Sequence, residues 1–295
     1  MSVGTVPIES AAAVSAAGAD IRRQEFLREL THQPAFAIGV FILGFWILCA
    51  IFGSLIVQDP LAQTLSNINR GPSSAHLFGT DQLGRDVLAR IIVGSRPILI
   101  TAPLATLLGT ILGTALGLIM GYFRGATDDI IGRFVEAFLA LPLVVTGILG
   151  VVALGSSTLT LVVIIGIVFT PLIARTVRAA VLVERDLDYV AAARLRGESS
   201  PYIMFAEILP NILAPIMVEF TVRLGYAVFT IVSLSFLGFG LQPPTPNWGY
   251  DISQNFQEVA AGYWWEVLFG AVAIGTLVVG VNMLANSIER ALDAS

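Results

Sequence analysis

An all-α integral membrane protein is the fold class this sequence predicts, on three observations. Of 295 residues, 56% are hydrophobic and 13% are charged, against about 25% charged in an ordinary soluble domain. Six apolar runs stand out: Ala35 to Val57, Ile98 to Phe123, Phe134 to Leu154, Leu159 to Val177, Ile212 to Leu241 and Val267 to Ala285. Each is close to or above the roughly 20 residues with which a helix crosses a bilayer core. The runs are continuous rather than alternating, which excludes a β-barrel, so six helices must satisfy their backbone polar groups internally.

Residues 1–34 read as a cytoplasmic tail, and the first twenty, rich in Ala, Ser and Gly, have too little bulk to pack. The span at 35–57 is too long for a signal-peptide core and reads as a retained anchor. In the extracytoplasmic segment 58–97, Thr80 can cap a helix carrying the acid-before-base pairs Asp81/Arg85 and Asp86/Arg90. Leu83, Val87, Leu88, Ile91 and Ile92 fall on its other side. The expectation is an amphipathic helix on the outer membrane surface, either inert or a contact for an incoming ligand carrier.

The core, residues 98–290, opens with Gly109, Gly113, Gly117, Gly121 and Gly125. A glycine every four residues lets another helix approach closely, within this subunit or from a second one. Asp128, Arg133 and Glu136 are expected to anchor the start of the third span at the interface. Between the fourth and fifth spans lies a polar insert, 184–211. Asp188 or Asp186 can cap a short helix containing Tyr189, Ala191, Ala192, Ala193 and Arg194, Gly197 permits a turn, and Pro201 suits the start of a second helix. The resulting elbow has a face of small side chains open to a partner's groove, with Arg194 and Arg196 able to meet acidic residues there. Glu219 and Arg223 lie four apart inside the fifth span, either neutralising each other or lining a path for a zwitterionic substrate. After it, Gly238 and Gly240 loosen the helix end, prolines forbid its continuation and Trp248 suits the interface; 291–295 is a C-terminal tail.

All 16 basic residues are arginine. With both termini in the cytoplasm, eleven of them fall inside (22, 23, 28, 124, 133, 175, 178, 185, 194, 196 and 290) and four outside (70, 85, 90 and 96), as the positive-inside rule prefers. A chain without lysine has no Walker A phosphate loop and no Schiff-base chemistry. The single Cys49 forms no intrachain disulfide, His32 and His76 are expected on opposite sides of the membrane, and neither HExxH nor GxSxG occurs. No catalytic, cofactor or metal residue is therefore assigned, and no basic tract points to nucleic acid.

Three stretches carry a family resemblance. DYVAAARLRGESSPYIMFAEILP, from Asp188 to Pro210, resembles the coupling loop of ABC importer permeases, with Gly197 and Leu209-Pro210 at the family spacing. Ala191 and Glu207 stand where that pattern has Glu and Ile. HLFGTDQLGRDVLARIIVGSR (76–96) and LSFLGFGLQPPTPNWG (234–249) are similar to the dipeptide/oligopeptide/nickel permeases. The resemblance implies a six-span, type I ABC importer permease in a bacterial or archaeal cytoplasmic membrane. It implies a second homologous permease, two P-loop ATPase subunits binding ATP and Mg, and an extracytoplasmic solute-binding protein as partners. Peptides are the implied cargo, with nickel, opine or glycoside as alternatives. An ion-driven transporter using Glu219 predicts acidic sites in several spans and no docking loop; a scaffold that transports nothing leaves the loop without a purpose.

Overall fold

The computed structural model describes residues 28–294, so the expected loose tail lies outside the described residues. Helices run as α1 (Pro34–Ile56), α2 (Val87–Phe123), α3 (Gly125–Leu139), α4 (Leu143–Leu154), α5 (Thr158–Glu184), α6 (Asp188–Leu195), α7 (Leu213–Phe236), α8 (Trp248–Asn255) and α9 (Trp265–Ala294). Five of them, α1, α2, α5, α7 and α9, are each long and apolar enough to span a bilayer. The third expected span is not one rod: α3 and α4 meet at 90° and make a sixth span only as a broken pair. The break falls at Ala140-Leu141-Pro142, where proline biases the preceding residue away from helical backbone.

The α2–α5 pair is the spine, and the glycine row explains it. A Cβ on Gly113 would stand 2.7 Å from Ile173 Cβ, on Gly117 2.7 Å from Val177 Cβ and on Gly121 2.6 Å from Val181 Cβ. Of the two readings of the row, packing within the subunit is therefore the one realised. Gly125 is not part of it; with φ of +57° it turns the chain into α3, next to Arg124 at φ 54°. At the margin, α1 buries only 11% of its apolar stretch against 61% for α5, so most of its surface is uncovered within this subunit.

The segment before α2 departs from expectation. Thr80 caps no helix, because its hydroxyl is taken by the Asn67 carbonyl and the Arg70 amide. Asp86 is the cap, accepting from the Ala89 amide at 2.8 Å, and the helix runs unbroken from Val87 through the membrane span. Among the described residues, 58–86 form no amphipathic helix. Residues 79–86 instead fold into a turn closed by a bridge between Thr80 and Asp86, with Gly84 at φ +72° pressed against the Thr64 carbonyl.

At that same end, α7 stops in a turn at Gly238 (φ +87°), where the Phe239 amide reaches back to the Leu234 carbonyl at 2.8 Å. Asn247 then caps α8 by accepting from the Gly249 and Tyr250 amides. Trp248 is packed inside the protein rather than exposed to a membrane interface. It is 1% exposed, donates to the Ile91 carbonyl at 2.8 Å and meets Trp46 edge to face at 4.8 Å. Glycine at 94 makes room for it, since a Cβ there would lie 2.9 Å from the indole.

Candidate functional site

The elbow at 184–211 is built as two arms. Its first arm is α6, ended by Gly197 in the left-handed region (φ +78°), where the Glu198 amide bonds the Ala193 carbonyl and the Gly197 amide the Arg194 carbonyl. Ser200–Tyr202, a π-helical stretch Ile203–Ile208 and Leu209–Asn211 make the second arm. Neither candidate aspartate caps α6. Its N-cap is Leu187, Asp188 is the exposed first helical residue, and the Asp186 carboxylate is drawn to Arg124 at 2.6 Å. Val190 and Ala193 turn inward, leaving Ala191 and Ala192 as the outward small face, with Leu195 90% exposed beside them. Pro210 is exposed and Leu209 half-buried at the end of the second arm.

The two arginines expected to face a partner are engaged within the chain. Arg196 pairs with Glu207 at 2.9 Å, locking the arms together, which gives the departure from isoleucine at that position a local role. Arg194 stacks over the Tyr122 ring at 5.3 Å, and Arg185 stands over the same ring at 5.9 Å while donating to the Tyr122 carbonyl. The base of the elbow is thus fastened to the last turn of α2. Burial and the Glu184 carboxylate push the Tyr189 phenol up to about 12, so it stays protonated and donates to Glu184 Oε2 at 2.7 Å. Tyr122 and the exposed Tyr202 and Phe205 are not among the residues expected at this site, and Arg124 and Arg185 enter the sequence reading only through the arginine distribution. Leu195, Tyr202 and Phe205 are apolar side chains in a polar insert, and that was the available signal.

The charges expected to greet a ligand carrier at the opposite end face inward. Asp81 is 1% exposed and accepts from the Leu83 and Arg85 amides at 2.8 and 2.9 Å and from Arg85 Nε at 2.5 Å. Arg85 is buried with it. Asp86, half-buried, pairs with His76 at 2.8 Å rather than with Arg90. Arg90, 3% exposed, grips Asp251 of α8 through Nη2 at 2.5 Å and Nε at 3.1 Å. These side chains hold the turn together, so a contact surface built from Asp81, Arg85 and Arg90 is not available; Leu83 in the turn and Leu77 just before it are exposed.

The model of the binding-protein-dependent transport system inner membrane component matches residues 113–295. The chain belongs to that family. It is 37% identical over 271 residues to the dipeptide transport system permease protein of Alkalihalophilus pseudofirmus, covering 92% of this chain and 89% of that protein. With the glutathione transport system permease protein of Pectobacterium atrosepticum it shares 35% over 275 residues, 92% of this chain and 90% of that one. Among solved structures, the MetNI methionine ABC transporter in an inward-facing conformation has a similar fold, with a TM-score of 0.56 and 20% identity over 70% of this chain and 96% of that chain. This inner membrane component is accordingly a multi-pass, helical part of a transport system.

Within this transport component, Glu219 and Arg223 of α7 close on each other, Arg223 Nε donating to Glu219 Oε1 at 2.7 Å, with the guanidinium also 5.5 Å from the Tyr226 ring. Glu219 is 9% exposed. The geometry is that of a mutually neutralised intrahelical pair. Exchanging the two charges should therefore leave assembly and uptake near wild type, whereas Glu219→Ala or Arg223→Ala alone should lower the yield of assembled complex by stranding a charge. Normal assembly with weakened uptake of charged peptides in Arg223→Ala would reverse that assignment.

Proposed function

We propose that the chain is one of two homologous permease subunits of an ATP-driven importer that carries dipeptides or short oligopeptides across the cytoplasmic membrane by alternating access. Its termini and elbow face the cytoplasm, as the arginine distribution favours. ATP, with Mg, is bound and hydrolysed on two P-loop ATPase subunits that dock on the elbow; a chain without lysine supplies no Walker A loop of its own. A solute-binding protein delivers cargo to the opposite face. The relatives named as dipeptide and glutathione permeases support the peptide class.

The observation that carries this reading is the fastening of the elbow to the spine. An uncovered surface of Ala191, Ala192 and Leu195 is joined through Arg194 and Arg185 to Tyr122 at the end of α2. Movement of a docked partner would reach the spanning helices without an intervening flexible link. Ala192→Trp fills the small face, and Gly197→Pro demands φ near −65° where the chain stands at +78°. Both residues are exposed, so insertion should be normal, while stimulation of ATP hydrolysis by loaded binding protein falls at least about tenfold, or ~1.4 kcal/mol of coupling. The measurement is ATPase co-purification and ligand-stimulated hydrolysis in nanodiscs. Wild-type values in both variants, or uptake by this chain alone on a pH gradient, would sink the reading.

A further inference from the structure

Asp128, Asp129, Arg133 and Glu136 of α3 and Arg175 and Arg178 of α5 line a cavity of about 510 Å³. Arg178 and Asp128 satisfy each other through two bonds of 2.5 Å. Among the described residues Asp129, Arg133, Glu136 and Arg175 have no ion-pair partner, and all four are exposed. Of the three residues expected to anchor the helix end, then, only Asp128 is tied down. Arg175 lies nine residues before the end of α5 at Glu184, about 14 Å along the axis at ~1.5 Å per residue. The four unpaired charges are exposed and so stand open to water or a ligand. The other face of α3 carries Ile131, Phe134 and Phe138, which line a separate nonpolar groove, so the helix turns its charges to the cavity and its apolar side away.

We propose that this cavity is a transient binding site for the charged ends of a zwitterionic dipeptide, Arg133 and Arg175 receiving the carboxylate and Asp129 and Glu136 the ammonium group. The inference rests on the peptide-permease reading and places the cargo within it. Two guanidinium and two carboxylate groups sum to zero charge, so a simple anion or cation meets repulsion together with attraction. A molecule bearing both signs at its two ends satisfies both pairs. Guanidinium groups bind carboxylate through paired N–H donors, and the volume falls in the roughly 300–1,000 Å³ range of small-molecule sites. Glu219 and Arg223, by contrast, consume each other's charge and leave none for a ligand.

Gly132 lines the same cavity, and a Cβ there meets only Met120 Cε at 3.7 Å, so cysteine fits. In the complete transporter in nanodiscs, with Cys49→Ser removing the native thiol, Gly132→Cys should react with a membrane-impermeant thiol reagent. L-alanyl-L-alanine should slow that reaction severalfold, its N-acetylated, C-amidated counterpart should not, and Arg175→Gln or Arg133→Gln should abolish the slowing. Absence of labelling, no protection by the free dipeptide, or equal protection by the capped peptide each overturns the proposal. Protection that survives both arginine variants overturns it as well. The capped-peptide comparison needs no arginine variant, so a folding failure in either one leaves the test intact. ATP-driven dipeptide uptake by the wild-type complex is measured alongside; its absence sinks the permease reading, whereas its presence without protection sinks only this site.

Discussion

Gly117→Leu should abolish recovery of folded protein. The added Cβ would meet Val177 Cβ at 2.7 Å and the Ala174 carbonyl at 2.8 Å, and a backbone oxygen cannot step aside as a side-chain tip can. Gly117→Ala gains about 1 kcal/mol of helix propensity but loses roughly 1–3 kcal/mol to overpacking, leaving a modest net loss. Leucine adds further carbons to a seam with no room at neighbouring Gly113 and Gly121 either, and the strain then rivals the ~5–15 kcal/mol that holds a typical domain together. Because helices in lipid associate mainly by close packing, no hydrophobic gain compensates. Size-exclusion chromatography and thermal melting in detergent measure the outcome. Pairing Gly117→Ala with Val177→Gly, which removes the opposing Cβ, should recover part of the overpacking loss, as expected of residues in contact. A wild-type melting temperature for Gly117→Leu would mean that α2 and α5 do not touch along this row.

Asp251→Ala should be the next most damaging change, at about 3–5 kcal/mol, because it strands the Arg90 guanidinium where it is 3% exposed. The pair joins residues 161 apart in sequence and ties α8 to the first turn of α2. Arg90→Ala strands the carboxylate in turn. Replacing both partners together, as Arg90→Met with Asp251→Leu, removes the buried charges and should cost less than either single change. Melting of wild type, Arg90→Met, Asp251→Leu and the double variant in one detergent gives the coupling directly. If each single variant stays within about 0.5 kcal/mol of wild type, as a surface substitution does, the pair holds nothing.

Signals that repeat along one helix are legible in the sequence, except at Gly125, which leaves the glycine row, and in the run that breaks before Pro142. Long apolar runs locate the spans, and glycines four apart on α2 mark a close approach, although nothing in the row itself names α5 as the helix accepted. Gly197 and Pro201 frame the elbow because one turn residue and one helix-start residue act locally. Local reasoning failed where distant partners compete. Thr80 is an adequate cap, but Asn67 and Arg70 claim its hydroxyl. The spacing of Asp86 and Arg90 suits an intrahelical pair, yet Asp251 captures Arg90 from far along the chain. Trp248 carries the composition of an interfacial residue and is buried because Gly94 opens a slot for it. Nothing in the apolar run from Phe134 to Leu154 beyond Pro142 announces a right-angle break.

A single helix, α2, spans 37 residues from its Asp86 cap to the turn before Arg124, about 55 Å at ~1.5 Å per residue. One end is gripped by Asp251 and Trp248, the other by Arg185 and Arg194 of the elbow. Riveted to α5 along its glycines from 109 to 121, the elbow half behaves as a lever arm, while Pro97 and Pro103 put two missing backbone donors in the opposite half. If a docked partner tilts the elbow as proposed, the tilt would be carried stiffly as far as Gly109 and absorbed at those prolines. On the proposed alternating access, the two ends of the subunit would be geared together through a joint set off-centre, near the end that holds Trp248.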